Sequence, residues 1–108
     1  MSRDKETPRI NSSLLHKNIG RTVRLVGRLT LVNSQQAVLE ASDKGQVNVL
    51  LAPGSMVRAG VIEILGRVES DMSVTELSSF MFNGDYDSES YDKMINIAAS
   101  QPELFGGL

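Results

Sequence analysis

The sequence predicts an all-β fold with a terminal helix, in which a small closed five-stranded Greek-key barrel is followed by an amphipathic α-helix. Three observations lead there. Apolar residues alternate with period two from Arg21, further strand-like segments bounded by turn residues follow up to Phe82, and five short strands in about sixty residues are too few for a sandwich but suit a small barrel. Two of the longer segments carry an interior glycine, Gly27 and Gly66, where a strand can bend to serve both sides of a barrel. After Asn83-Gly84 the period changes to that of a helix.

The elements follow in order. Ser12 to Lys17 reads as a short helix with Asn11 or Ser12 as its cap and Gly20 beyond its end. From Arg21 a long strand sets Val23, Leu25, Leu29 and Leu31 on one face and Arg24, Arg28 and Thr30 on the other. Gln36 to Ala41 and Gln46 to Leu51 form a hairpin across Ser42-Asp43-Lys44-Gly45, with the glycine expected where a positive φ is needed. Ala52-Pro53-Gly54-Ser55 breaks the pattern before a strand from Gly60 to Val68, and Ser73 to Phe82 supplies the fifth. The resulting barrel is of the oligonucleotide-binding (OB) type.

The terminal helix spans Asp87 to Ser100, with Asp85, Asp87 and Glu89 near its start, where the helix dipole favours negative charge, and Pro102 stopping it. At 100° per residue, Tyr91, Met94, Ile95, Ala98 and Ala99 form one apolar face that Ile97 widens. Tyr91, Met94, Ile95 and Ile97 are each worth about 1.5–3 kcal/mol when buried. Leaving all four in water would forgo an amount comparable with the roughly 5–15 kcal/mol stability of a whole domain. An arc this broad meets two neighbours, so the helix is expected to assemble with helices of other chains.

Composition narrows the function. The chain has 108 residues, room for one modest core. It divides into a tail over 1–10, the barrel with its leading helix over 11–84, and the helix with its tail over 85–108. With no cysteine, disulfides, thiolate metal sites and cysteine nucleophiles are excluded. No apolar run is long enough to span a membrane, and an intracellular location is expected. Residues 1–28 carry a net +5 and residues 69–108 a net −7, within an overall −2. Such a balance argues against autonomous, charge-driven nucleic-acid binding.

The single histidine, His16, has no partner for metal or proton chemistry, and the nine glycines make no phosphate-binding loop. Asp85, Asp87 and Glu89 lack calcium-loop spacing. No catalytic site, metal site or cofactor is expected. Recognition remains. Barrels of this type stack bases on aromatic side chains, yet no aromatic precedes Phe80. Arg24 and Arg28, about 13 Å apart along one strand face, are the weak candidates for phosphate contacts. Phe80 and Phe82 alternate on the last strand and are expected to pack in the core beneath the approaching helix.

These residues bring a family into view. Pro8-Arg9-Ile10-Asn11 before the first helix, Val26-Gly27-Arg28-Leu29 in the first long strand, and Val61-Ile62-Glu63-Ile64-Leu65-Gly66-Arg67-Val68 in the fourth come first. Tyr91-Asp92-Lys93-Met94-Ile95 and then Pro102-Glu103-Leu104-Phe105 complete the order. Their order and spacing together resemble the smallest subunits of replication protein A, the eukaryotic single-stranded-DNA-binding heterotrimer. The resemblance covers nearly the whole chain. It implies an OB barrel and a helix that joins helices of the middle and large subunits in a three-helix bundle. It further implies a nuclear role in DNA replication, repair and recombination, with single-stranded DNA bound mainly by the other subunits. Carried residue by residue, the partner interface falls on Tyr91, Met94, Ile95 and Ala98, with Ile97, Leu104 and Phe105 beside them. The alternative is an independent single-stranded nucleic-acid-binding module using Arg24, Arg28, Arg67 and Phe80.

Overall fold

The alternating segments pair as their patterns require. The computed structural model describes residues 7–82 and 85–100. Its strands are β1 (Arg9–Ile10), β2 (Thr22–Leu31), β3 (Gln36–Ala41), β4 (Gln46–Leu50), β5 (Gly60–Val68) and β6 (Val74–Met81), with a 3-10 helix at Ser12–Lys17 and one α-helix, α1, at Ser88–Ser100. The sheet order is β1-β2-β3-β4-β6-β5, and pairing of β2 with β5 closes β2 to β6 into a five-stranded OB barrel. The β4–β6 seam is parallel and short, made by Val49 with Val74 and Leu50 with Thr75.

Besides β1, β2 pairs with two strands that divide its length. It runs antiparallel to β5 from Thr22 to Leu29 and to β3 from Gly27 to Leu31. Gly27 sits where both pairings meet, and a Cβ there would collide with the carbonyl oxygen of Glu40. Gly66 lies beside the register shift at Leu65/Gly66, where a Cβ would meet the Val74 side chain and the Thr75 carbonyl. Both glycines allow the close approach that a tightly bent barrel demands.

Inside, Val23, Leu25, Leu29, Leu39, Val47, Val49, Ile62, Ile64, Val68 and Val74 form the buried cluster, with Ile10 and Leu15 of the leading segment closing it. Leu31, expected to join them, is 44% exposed, because the end of β2 runs past β5 and pairs with β3 alone. Val26 is buried on the opposite face of β2, outside that cluster.

Three local expectations are corrected. The two-residue β1 was not anticipated; it adds in parallel to β2, Arg9 opposite Arg24 and Ile10 opposite Leu25. The 3-10 helix has Asn11 at its cap position, but neither Asn11 nor Ser12 caps through its side chain. Asp43, from the β3–β4 turn, accepts the Ser12 and Ser13 amides at 3.3 and 3.0 Å and the Ser12 hydroxyl at 2.9 Å. In that turn the positive φ falls on Lys44, at 72°. Gly45 is required for space instead, since a Cβ there would strike the Ser12 side chain. The last strand is pinned by a buried carboxylate: Glu76 accepts the Ala52 amide at 2.9 Å and the Ser55 hydroxyl at 3.1 Å, tying β6 to the loop after β4.

Candidate functional site

α1 begins with a satisfied cap. Asp87 accepts the Glu89 and Ser90 amides at 3.1 and 3.3 Å and the Ser90 hydroxyl at 2.9 Å. The hydrogen bonds from Ser90, first its hydroxyl and then its amide, hold the Asp87 carboxyl below the ordinary aspartate range. Lys44 Nζ donates to Ser88 Oγ at 2.8 Å, anchoring the first turn to the β3–β4 hairpin.

A polar node then fixes the helix to the barrel. Buried Asn11 donates through Nδ2 to Asp92 Oδ1 at 2.7 Å and to Asn96 Oδ1 at 3.2 Å, while Ser42 Oγ donates to the same Asp92 oxygen at 2.8 Å. Three separate parts of the chain meet there. In the same helix Ile95 is 2% exposed; among the described residues it and Val26, on the outer side of β2, are the two buried apolar residues outside the internal cluster. Tyr86 and Tyr91 have their rings 6.2 Å apart, with the Arg28 guanidinium 5.6 Å from the Tyr86 ring centre. Burial pushes the Tyr91 hydroxyl up to about 12, against the pull of Arg9.

The broad apolar arc is therefore divided. Ile95, expected at the partner interface, faces the chain's own barrel, and Tyr91 is half-buried at its edge. Met94 and Ile97 are 47% and 52% exposed, and Ala98 lies between the two conditions. Leu104 and Phe105 lie outside the described residues.

The arginines and phenylalanines are distributed differently from expectation. Arg28 is engaged over Tyr86, and Arg67 pairs with Glu69 at 3.1 Å. Arg24 makes no hydrogen bond or ion pair among the described residues. Phe80, expected in the core, is 67% exposed. The register explains why: Met81 pairs with Ile62 on the inner face, so Phe80, opposite Glu63, points outward. α1 does not cover it, because the Asn11–Asp92–Ser42 node holds the helix at the ends of β1 and β3. Phe82 is half-buried and meets Phe80 edge to face, with centres 6.2 Å apart and planes at 74°. A cleft of about 180 Å³ beside Phe80 is lined by Arg24, Glu63, Leu65, Ser78 and Ser79.

Comparison with known proteins assigns this arrangement. Residues 1–105 match the family described as replication factor A protein 3. The chain belongs to the replication factor A protein 3 family. The members of this family are the smallest subunits of replication protein A. A relative so named in Schizosaccharomyces pombe is 26% identical over 102 residues, covering 94% of this chain and 97% of its own length. A chain of the U. maydis replication protein A structure, bound to single-stranded DNA, is 31% identical and superposes with a TM-score of 0.87, over 96% of this chain and 99% of that one. A chain of yeast replication protein A, also bound to single-stranded DNA, shares the fold at 16% identity and a TM-score of 0.72, over 95% and 100% of the two chains.

Proposed function

We propose that this chain is the assembly subunit of a replication protein A heterotrimer, holding α1 in place for a three-helix bundle with helices of the middle and large subunits. It acts in the nucleus in DNA replication, repair and recombination, has no enzymatic activity, and has little affinity for single-stranded DNA by itself. The observation that carries the reading is the division of α1: its inner side is docked through Ile95 and Asp92, while Met94 and Ile97 remain 47% and 52% exposed on a helix already satisfied elsewhere. Two neighbouring aliphatic side chains left in water on a rigid helix are the kind of surface that partner helices cover.

Met94, Ile97 and Ala98 are the direct contacts, Tyr91 borders them, and Ile95 supports them from beneath; Leu104 and Phe105 extend the interface. The test is the double variant Met94→Asp/Ile97→Asp. It is expected to abolish co-purification with the two larger subunits while the far-ultraviolet spectrum and unfolding midpoint of the chain alone stay unchanged. A heterotrimer of normal yield would defeat the reading.

A further inference from the structure

The cleft beside Phe80 differs in chemistry from the exposed flank of α1. Met94 and Ile97 present only aliphatic surface. The cleft combines an open aromatic ring, a guanidinium, the Ser78 hydroxyl and the apolar Leu65. It lies on the outer face of β2, β5 and β6, where the register sets Arg24, Leu65 and Ser78 in one row and Glu63 and Phe80 in the next. Two strand spacings and one side-chain repeat put the Arg24 and Phe80 backbones about 12 Å apart. Both residues line the same cleft.

Each group is left available. Phe80 is 67% exposed, and its edge-to-face contact with Phe82 steadies the ring while leaving at least one of its faces open. The one carboxylate in the cleft, Glu63, is held by Arg9 at 3.1 Å, so the cation left over is Arg24. Leu77 to Phe82 contains no charged residue, so nothing on that stretch of β6 repels a phosphate.

We propose that this cleft is a contact site for single-stranded nucleic acid, with one base stacked on Phe80, the adjoining phosphate on Arg24, and the Ser78 hydroxyl available to the sugar and base edges. The proposal rests on membership of the DNA-binding heterotrimer. One base and one phosphate give little affinity to a chain of net charge −2. Inside a complex that already holds the strand, the contact becomes intramolecular and gains from the high effective concentration.

The experiment uses the assembled heterotrimer and oligothymidine carrying a single 5-iododeoxyuridine at successive positions. Irradiation is expected to give an adduct on Phe80 at one or two positions, lost in Phe80→Leu and weakened in Arg24→Ala. Either variant should raise the Kd about fivefold or more, the lower end of what loss of one stacked base produces. Arg24→Ala should also reduce the salt slope by about 0.7. Adducts confined to the other subunits, with unchanged Kd in both variants, would overturn the proposal. So would loss of a subunit from either variant complex on gel filtration, which would make the cleft a protein interface. If the wild-type chain fails to enter the complex, the assembly reading fails by itself. The cleft is then judged on the full chain alone, where Phe80→Trp introduces the only tryptophan and oligothymidine at low salt must quench it; unaltered emission overturns the site.

Discussion

Ile95 and Ile97 are the same residue on opposite sides of one helix, which makes Ile95→Ala and Ile97→Ala a controlled pair. Alanine favours helix in both, so loss of helix propensity contributes to neither change. Ile95 is 2% exposed, and truncating a buried isoleucine costs about 2–5 kcal/mol. It lies outside the main core cluster, which places the cost near the lower end, about 2–3 kcal/mol. With a urea m-value of about 1.5 kcal/mol per molar, the midpoint of the chain alone should fall by about 1.3–2 M. Ile97 is 52% exposed, and its truncation should move the same midpoint by about 0.3 M or less. Assembly reverses the order of direct effects. Ile97→Ala should weaken binding of the larger subunits by about 1–2 kcal/mol, or roughly 5–30-fold, by removing surface buried only in the complex. Equal midpoint shifts for the two variants, or an Ile95→Ala chain as stable as the parent, would refute the division of the arc.

Two further outcomes concern pH. Partial burial acts to raise the Asp43 pKa, but hydrogen bonds from the Ser12 hydroxyl and the Ser13, Gly45 and Ser12 amides outweigh it, so the folded value lies below the ordinary 3.8. Its stabilisation is therefore fully present above 3.8 and is lost as pH falls through the lower folded value; Asp43→Asn should flatten the acid limb of a stability-against-pH curve measured by urea unfolding. Tyr91 works at the other end: burial raises its hydroxyl from 10.0 to about 12, so stability is intact below 10 and declines as pH rises toward 12. Burial raises Tyr86 as well, so ultraviolet difference titration should show both tyrosines ionising late, and Tyr91→Phe should remove the phase near 12.

The barrel strands were legible because each is written locally. Runs rich in Val, Leu and Ile between turn residues set Gln36–Ala41 and Gly60–Val68 at the bounds the structure shows, and the others differ by one or two residues. β1 was not legible, since two residues have no period. The Asp43 cap was hidden for another reason: a carboxylate thirty residues from the amides it binds leaves no mark at either place. The placement of Phe80 failed on the same kind of long-range information. Alternation already offered Met81 as the inward residue of β6, but the expectation assumed that the helix would cover the strand's outer face. Where α1 lies is decided by Asn11, Ser42 and Asp92, which are far apart in sequence and share no motif. At α1 the width of the apolar arc led to the expectation of two neighbours, both helices of other chains. It could not say that the chain's own barrel takes one side, because angular position on a helix does not name what faces it.

That partition bears on how a short helix can serve assembly. α1 has 13 residues, a length at which an isolated helix is marginal in water because nucleation is unfavourable. If Met94 and Ile97 belonged to a free, fluctuating segment, each partner helix would have to bear the entropy of ordering it, which lowers affinity for a given buried area. The barrel removes that cost beforehand. Ile95 anchors the middle of the helix, Asp92 is held by Asn11 and Ser42, and Lys44 holds the first turn at Ser88. The inner face thus supplies order, and on the proposed reading the outer face is free to supply contact with partner helices.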